Sequence, residues 1–335
     1  HILFSRRPDN IGIWAVPFDL ETETVTGAPF MAVPDARFPS VSLAGDLVYS
    51  PDSPVRWQIV QVDRRGDFTA EVGEVVEGAE NLRVSPDGTE AVYSVQGPAN
   101  EIWIVDLESG NRQRFVFDEQ LLSSPSWSPD GSSLVYTVGT NEGLHQQIRA
   151  RDGGAPEALH VRGYQPLFTP DGRHLVLETW DEQNNPGIGY IDLDEREAGA
   201  VTIDDTNFEE SSPALSPDGT LIAYESLEPG RREVFVTTFP DGDRSWQISN
   251  EGGSQPTWSA DGSEIIFRNP SFPQKMVVEV SRDPIRFSAP RLLFSVDAVG
   301  WLNPTGDGGF WGLRRVESGE RNTFEVWLGW AESLD

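Results

Sequence analysis

The segment Ser126-Trp127-Ser128-Pro129-Asp130-Gly131 contains the tetrapeptide that decides the fold, because copies of it recur along the whole chain. Close copies of Ser-Pro-Asp-Gly occupy residues 85–88, 128–131, 169–172, 216–219 and 259–262, and decayed copies occupy 42–45 and 303–306. Successive glycines of these seven anchors are 43, 43, 41, 47, 43 and 44 residues apart. So regular a spacing indicates a repeat architecture.

Each repeat contains the signals for four short β-strands. One apolar strand leads into the anchor, a second follows it, a third alternates with period two as in residues 101–106, and a weaker fourth strand follows a turn. Four strands in about 40 to 45 residues are typical of a β-propeller blade. The sequence therefore predicts an all-β propeller of four-stranded antiparallel blades, with Trp127, Phe168 and Trp258 packed between neighbouring blades.

The anchor residues suit a tight turn. Proline presets φ at the first corner, aspartate accepts hydrogen bonds from backbone amides, and glycine takes the position with positive φ. We therefore interpret the aspartates as turn caps, with a ring of cation-binding carboxylates as the alternative. The predicted structural turn residues are Asp87, Gly88, Asp130, Gly131, Asp171, Gly172, Asp218, Gly219, Asp261 and Gly262.

The anchors predict a single propeller domain over residues 1–335, with seven blades. Residues 1–34 and 297–335 each supply part of a repeat, and we expect them to meet where the ring closes, since propellers avoid exposed sheet edges in this way. Eight blades would result if the N-terminal strands formed their own blade. Six would result if the terminal pieces belonged to a neighbouring domain.

The charge balance excludes several classes of protein. The 335 residues include 54 Asp and Glu but only 25 Lys and Arg, which gives a net charge of −29. This balance excludes a general nucleic-acid-binding protein, because a nucleic acid requires a basic surface. The basic residues are 24 Arg and one Lys, Lys275, a balance that we interpret as adaptation to a salty environment. There is no cysteine, and no apolar run is long enough to span a bilayer.

Several segments, in their order along the chain, resemble a known family. The anchors resemble TolB-type, WD-repeat-like propellers, and further segments are similar to the propeller region C-terminal to many bacterial serine/threonine kinases. These segments are residues 2–4, 15–19, 62–66, 224–226, 232–236 with 239–240, 246–249 with 252–253, and 328–332. The resemblance implies a sensing or interaction module without catalytic residues, located outside the cytoplasm. A kinase domain would belong to a longer parent polypeptide, because this chain has none of the kinase motifs.

No motif in the sequence predicts a catalytic site, a metal site or a cofactor. His1, His145, His160 and His174 are scattered, and we expect them to be surface or loop residues. The remaining candidate site is the channel mouth, where the innermost strands of a propeller begin. Polar and aromatic residues at these strand starts are the predicted binding residues: Glu80, Asn81, Ser124, Tyr164, Gln165, Ser211, Gln255 and Trp301.

These observations predict a non-catalytic module that binds a protein, a peptide or a small ligand, as part of a larger bacterial signalling protein. One alternative is an enzyme with its active site at the channel mouth, such as a lyase or a glycan-cleaving propeller. The other is a TolB-like periplasmic scaffold. The oligomeric state and the identity of the ligand are not encoded in any motif of the sequence.

Overall fold

The computed structural model describes residues 1–6, 12–34, 36–51, 55–97, 99–141, 143–180, 185–203, 206, 208–270, 274–296, 299–316 and 325–331. The chain divides into two compact units, His1–Arg56 with Val316–Asp335, and Trp57–Arg315. Both units consist of β-strands, and one turn of 3-10 helix covers Arg196–Ala198. The prediction of an all-β fold is confirmed.

The first unit contains two three-stranded sheets and a hairpin. One sheet has the order β1-β2-β5, the other β33-β7-β6, and β3 pairs with β4. The strands are β1 (Ile2–Arg6), β2 (Gly12–Val16), β3 (Phe18–Asp19), β4 (Thr24–Val25), β5 (Phe30–Pro34), β6 (Ala36–Val41), β7 (Leu47–Pro51) and β33 (Glu325–Trp327). Ile13, Leu47 and Trp330 are central to its core.

The second unit contains six antiparallel sheets, five of four strands and one of five. The first three sheets are β31 (Val299–Pro304), β32 (Phe310–Val316), β8 (Arg56–Val62), β9 (Phe68–Glu77); β10 (Ala79–Val84), β11 (Glu90–Val95), β12 (Asn100–Asp106), β13 (Arg112–Asp118); and β14 (Leu121–Trp127), β15 (Ser133–Thr140), β16 (Gly143–Ala150), β17 (Glu157–Arg162). The others are β18 (Tyr164–Phe168), β19 (His174–Trp180), β20 (Pro186–Asp192), β21 (Val201–Thr202); β22 (Glu210–Leu215), β23 (Leu221–Ser226), β24 (Glu233–Thr238), β25 (Ser245–Gln247); and β26 (Ser254–Trp258), β27 (Glu264–Asn269), β28 (Gln274–Arg282), β29 (Ile285–Phe287), β30 (Arg291–Ser295).

The six sheets form a closed ring within the second unit. The first strand of each sheet contacts the first strand of the next, from β10 through β14, β18, β22 and β26 to β31, and β31 contacts β10. The ring closes in the sheet that joins β31 and β32 to β8 and β9, strands far apart in sequence. Such closure leaves no inner strand without a neighbouring sheet.

In the second unit, β8 and β9 (residues 56–77) complete the sheet of β31 and β32 and so close the ring. The sequence predicted residues 1–34 as the segment that meets residues 297–335 at ring closure. Within the predicted closing segments, residues 7–11, 297–298, 317–324 and 332–335 lie outside the described residues. The second unit alone has six sheets because the anchor at residues 42–45 lies in the first unit, between β6 and β7. For the whole chain, the single domain and the seven blades stay predictions.

Each close copy of the anchor forms a hydrogen-bonded turn between the first and second strands of its sheet. In the closing sheet the turn lies at 305–308 and not at the predicted copy 303–306, because Asn303 and Pro304 still belong to β31; the Gly308 amide donates to the Thr305 carbonyl at 3.0 Å. In the turn at 85–88, the Ser85 hydroxyl donates to Asp87 Oδ1 at 2.6 Å, and the Gly88 amide donates to the Ser85 carbonyl at 2.9 Å. The same serine or threonine to aspartate bond recurs at 2.6 to 2.7 Å in the four other close copies. The glycines at 88, 131, 172, 219 and 262 all have φ between 70° and 76°.

Tryptophans beside the anchors connect neighbouring sheets, as the sequence predicted. The Trp127 indole donates to the Arg83 carbonyl of the preceding sheet at 3.1 Å, and the Trp258 indole donates to the Ala214 carbonyl at 2.9 Å. Between the closing sheet and the sheet of β10, a contact of opposite direction connects the inner strands: Asn303 Nδ2 on β31 donates to the Leu82 carbonyl at 2.9 Å. These side chains fix the spacing of the inner strands around the ring.

Candidate functional site

All six inner strands of the second unit bulge at the same place. The pairing with the second strand shifts register immediately before the anchor in every sheet. In each bulge a residue other than glycine has a positive φ of 50° to 56°. These left-handed residues are Asn81, Ser124, Gln165, Ser212, Gln255 and Trp301. Non-glycine residues adopt this conformation rarely, and bulges of this kind redirect side chains.

The left-handed residues converge on a small cavity of about 70 Å³ that opens to solvent. All of them except Ser124 line it. Its remaining lining residues are Arg83, Pro213, Pro256, Thr257, Ile266, Phe267, Lys275 and Leu302. The cavity therefore combines amide and hydroxyl groups, an indole, apolar surface and two cationic side chains, a composition that suits ligand recognition.

Four of the eight predicted binding residues line this cavity: Asn81, Gln165, Gln255 and Trp301. The other four lie at or beside the bulges without lining it. Of these four, Ser211 accepts a hydrogen bond from Arg232 Nη1 at 3.0 Å. The Glu80 carboxyl is partly buried, and this burial raises its pKa. Ser212, Arg83 and Lys275 line the cavity, although the sequence did not single them out as binding residues.

A chain of hydrogen bonds connects the bulges of four neighbouring sheets. Trp301 Nε1 donates to Asn81 Oδ1 at 3.1 Å, and Asn81 Nδ2 donates to Ser123 Oγ at 3.2 Å. The Ser123 hydroxyl lies 3.3 Å from that of Ser124 and 3.2 Å from that of Tyr164. The Trp301 ring also meets Trp57 edge to face. The indole is thus held in one orientation beside the cavity.

Two glutamates support the bulges on the other side of the ring. The Ser212 amide donates to Glu178 Oε1 and the Gln255 amide to Glu225 Oε1, each at 2.7 Å. In both cases the carboxylate comes from the sheet that precedes the bulge. Glu225 also pairs with Arg232, whereas burial raises the pKa of Glu178 to about 7. No sequence pattern predicted this role, although Glu225 lies in one of the segments that carry the family resemblance.

The two cations of the cavity are buried to different extents. Lys275 is 5% exposed, and burial together with the nearby Arg268 guanidinium lowers the pKa of its amine to about 8. Arg83 is half-buried, and desolvation lowers the pKa of its guanidinium. No Asp or Glu is among the described residues that line the cavity.

The histidines lie apart from this cavity. His145 on β16 and His160 on β17 line a different pocket, and His174 on β19 packs edge to face against Tyr190 and Phe239. His160 is exposed, as expected, whereas the expectation of surface or loop positions was wrong for His145 and His174, which are half-buried strand residues, because alternation places strand side chains on both sheet faces. In the described part of the chain, no three His, Asp or Glu residues are grouped as a metal site would require.

No helix in the described ranges is long and apolar enough to cross a membrane. No protein-family model matches the chain. Over 123 residues it is 29% identical to the "Uncharacterized peptidase YuxL" of Bacillus subtilis, a match covering 33% of this chain and 18% of that protein. Over 192 residues it is 24% identical to the Tol-Pal system protein TolB of Francisella tularensis, covering 53% of this chain and 42% of TolB. The chain therefore spans less than half the length of either relative.

Solved structures with the same architecture include putative TolB from Agrobacterium tumefaciens, with a TM-score of 0.61 at 16% identity over 79% of this chain and 100% of that one. The oligogalacturonate lyase of Vibrio parahaemolyticus has a TM-score of 0.53 at 12% identity over 85% and 98%. Such low identities concern the fold alone. The chain has a TolB-like β-propeller fold, which confirms the prediction from the anchors; the resemblance to kinase-associated propellers stays a prediction.

Proposed function

We propose that the chain is a non-catalytic binding or sensor module that recognises a protein, a peptide or a small ligand through the cavity at the bulges. The observation that carries this proposal is the convergence of five left-handed residues, from five different sheets, on one cavity. Each such residue costs on the order of 1 to 3 kcal/mol of backbone strain, and strain of this kind concentrates at functional sites. Trp301 is the natural anchor for a ligand, since its ring is already oriented by Asn81 and Trp57.

The proposal extends to a larger bacterial signalling protein, with the propeller as its sensory part outside the cytoplasm. The segments that resemble kinase-associated propellers support the kinase link, and the name of the Tol-Pal relatives supports a protein partner. Sequencing of the complete reading frame tests this part directly. An upstream kinase domain followed by a membrane span is the expected result, and a reading frame without a kinase would contradict it.

The binding proposal is tested with a thermal-shift screen of peptides and metabolites, followed by calorimetric titration of each hit. We expect Trp301→Ala and Gln255→Ala to weaken binding of a true ligand at least tenfold. Trp327→Ala is the matched control, because Trp327 is exposed on β33 of the first unit. If neither cavity substitution changes the affinity of a ligand, that ligand binds elsewhere on the chain, and the proposal is contradicted.

The enzyme alternative is favoured by the position of Glu178, a buried carboxyl that accepts a hydrogen bond from the amide of the cavity residue Ser212 at 2.7 Å and whose pKa burial raises to about 7. A carboxyl group with such a pKa can exchange protons at neutral pH, which is the property of a general acid or base. Turnover of an oligosaccharide or peptide by the wild type, lost in Glu178→Gln, would establish this alternative. If Glu178→Gln only changes stability and no substrate is turned over, the binding role stands.

A further inference from the structure

Lys275 is the single lysine of a chain that otherwise uses arginine for its positive charges. It lies on β28, opposite Arg268 of β27 and Phe294 of β30, and it lines the cavity. A buried ammonium loses its hydration, which costs several kcal/mol unless an opposite charge offsets it. A negative charge close to Lys275 would therefore stabilise its buried ammonium group.

The part of the chain that the structure describes offers no such counter-charge. Lys275 has no ion pair or hydrogen bond among the described residues, and its nearest charged influence is the like charge of Arg268. Arg83, the second cation of the cavity, also has no side-chain partner in the described ranges. In a chain of net charge −29, a cavity with two cations and no lining carboxylate is a local reversal of charge.

Neutral donors accompany the two cations. Gln165 and Gln255 line the same cavity, and their side-chain amides make no hydrogen bond to other described residues. Ser212 contributes a hydroxyl group, while Ile266, Phe267 and Leu302 contribute apolar surface. Cations together with amide and hydroxyl donors are the groups that bind carboxylates and phosphates.

We propose that Lys275 and Arg83 form an anion-binding site in this cavity, for a small ligand that carries a compact oxyanion beside an apolar part. This role for the two cations rests on the proposed binding function, and it specifies the chemical class of the ligand. Lys275 supplies a compact charge with three donors at the buried end, where the planar fork of an arginine would need more room. Gln165 and Gln255 are positioned to donate to the remaining oxygen atoms.

The single lysine makes a direct test available. The whole chain is labelled with lysine enriched in ¹³C at Cε, which gives one side-chain resonance for Lys275. Sodium acetate and sodium phosphate are titrated separately, with sodium chloride holding the ionic strength constant. We expect a saturable shift of the resonance with at least one anion, and an apparent pKa of Lys275 that rises by about one unit at saturation, because the anion binds the protonated amine more tightly.

Variants separate specific binding from general charge effects. By calorimetry, Lys275→Met should abolish binding of the active anion, Arg83→Gln should weaken it at least tenfold, and Lys275→Arg should retain part of the affinity. Arg286→Gln is the control, since Arg286 is an exposed cation on β29. Response to phosphate alone would identify a phosphate-bearing ligand, and response to acetate alone a carboxylate. No saturable shift with either anion overturns the proposal.

Failure of this site and failure of the binding function give different results. If neither anion binds, but Trp301→Ala still weakens an uncharged ligand from the screen, the cavity is a binding site without an anion pocket. If an anion binds through Lys275 and no larger ligand depends on Trp301, the anion site is real and recognition of a larger partner at the cavity is wrong.

Discussion

At the scale of single residues, the anchor glycines are not equivalent. The glycines of the five close copies all have positive φ, which costs a residue with a Cβ about 1 to 2 kcal/mol, but their surroundings differ. A Cβ at Gly219 would lie 3.0 Å from Cδ of Pro170, the proline of the preceding anchor, whereas a Cβ at Gly88 meets nothing within 4 Å. Conformation alone therefore constrains Gly88, while Gly219 is also constrained by the neighbouring turn.

We expect Gly219→Ala to lower the free energy of unfolding by about 2 to 4 kcal/mol, and the matched Gly88→Ala by about 1 to 2 kcal/mol. Chemical denaturation followed by tryptophan fluorescence measures both values under one set of conditions. Equal losses in the two variants would show that the contact between successive anchors is without energetic effect.

The buried amine of Lys275 predicts a dependence of stability on pH. Its pKa falls from 10.5 to about 8 in the folded chain, so the unfolded chain binds more protons between these values, and wild-type stability rises with pH across that interval. Below pH 8 the full penalty applies, about 3 kcal/mol. Lys275→Met should then be more stable than the wild type by up to that amount at pH 6.5 in chloride buffer.

The stability difference between Lys275→Met and the wild type should shrink as the pH rises towards 10.5, where the folded amine is neutral and the unfolded amine is half protonated. Arg268, the charged group that faces Lys275 from β27, disfavours the protonated amine in the same direction as burial does, so it does not change this sign. Denaturation curves of both proteins at pH 6.5, 8 and 10.5 provide the check. A variant that is less stable at pH 6.5 would mean that the ammonium is stabilised in the folded chain.

At the scale of elements, contacts between inner strands depend on indole groups that the sequence placed correctly. Trp127 and Trp258 each donate to a backbone carbonyl of the preceding sheet and are 6% and 4% exposed. Replacement by phenylalanine keeps the ring packing but leaves the carbonyl without its donor, a loss of about 1 to 3 kcal/mol.

Trp127→Phe and Trp258→Phe should therefore each lower the free energy of unfolding by about 1 to 3 kcal/mol. Trp103→Phe is the matched control, because the Trp103 indole donates to Glu101 within its own strand. We expect the control to lose less than 1 kcal/mol in the same denaturation assay. Similar losses in all three proteins would assign the effect to ring size rather than to the connection between sheets.

The sequence predicted strands and turns well because their signals are local. Period-two alternation in residues 101–106 lies within β12, and each close copy of the anchor joins two strands of one sheet. The left-handed φ of Gln255 and Trp301 carries no such signal, since neither residue type favours it and the conformation follows from pairing with another strand. Lys275 likewise lies in an ordinary alternating strand, and only the ring brings it to Arg83 and Gln165.

At the scale of the whole molecule, two effects of salt oppose each other. Many of the described arginines form ion pairs with acidic residues, such as Arg64 with Glu264 and Arg314 with Glu71, and screening weakens these pairs. Each partly exposed pair contributes about 0 to 1 kcal/mol. The 54 acidic residues outnumber the basic ones by 29, however, so mutual repulsion among carboxylates that lack a basic partner outweighs the attraction that salt removes.

Added salt should therefore stabilise the chain. The Debye length falls from about 10 Å at 0.1 M to about 3 Å at 1 M, which screens repulsion between surface carboxylates across the whole of this interval. We expect the Tm to rise steadily from dilute buffer to molar sodium chloride, and potassium chloride to have the same effect, since the mechanism depends on ionic strength. A flat or falling Tm would show that the arginine pairs dominate, and that the acidic surface is not an adaptation to salt.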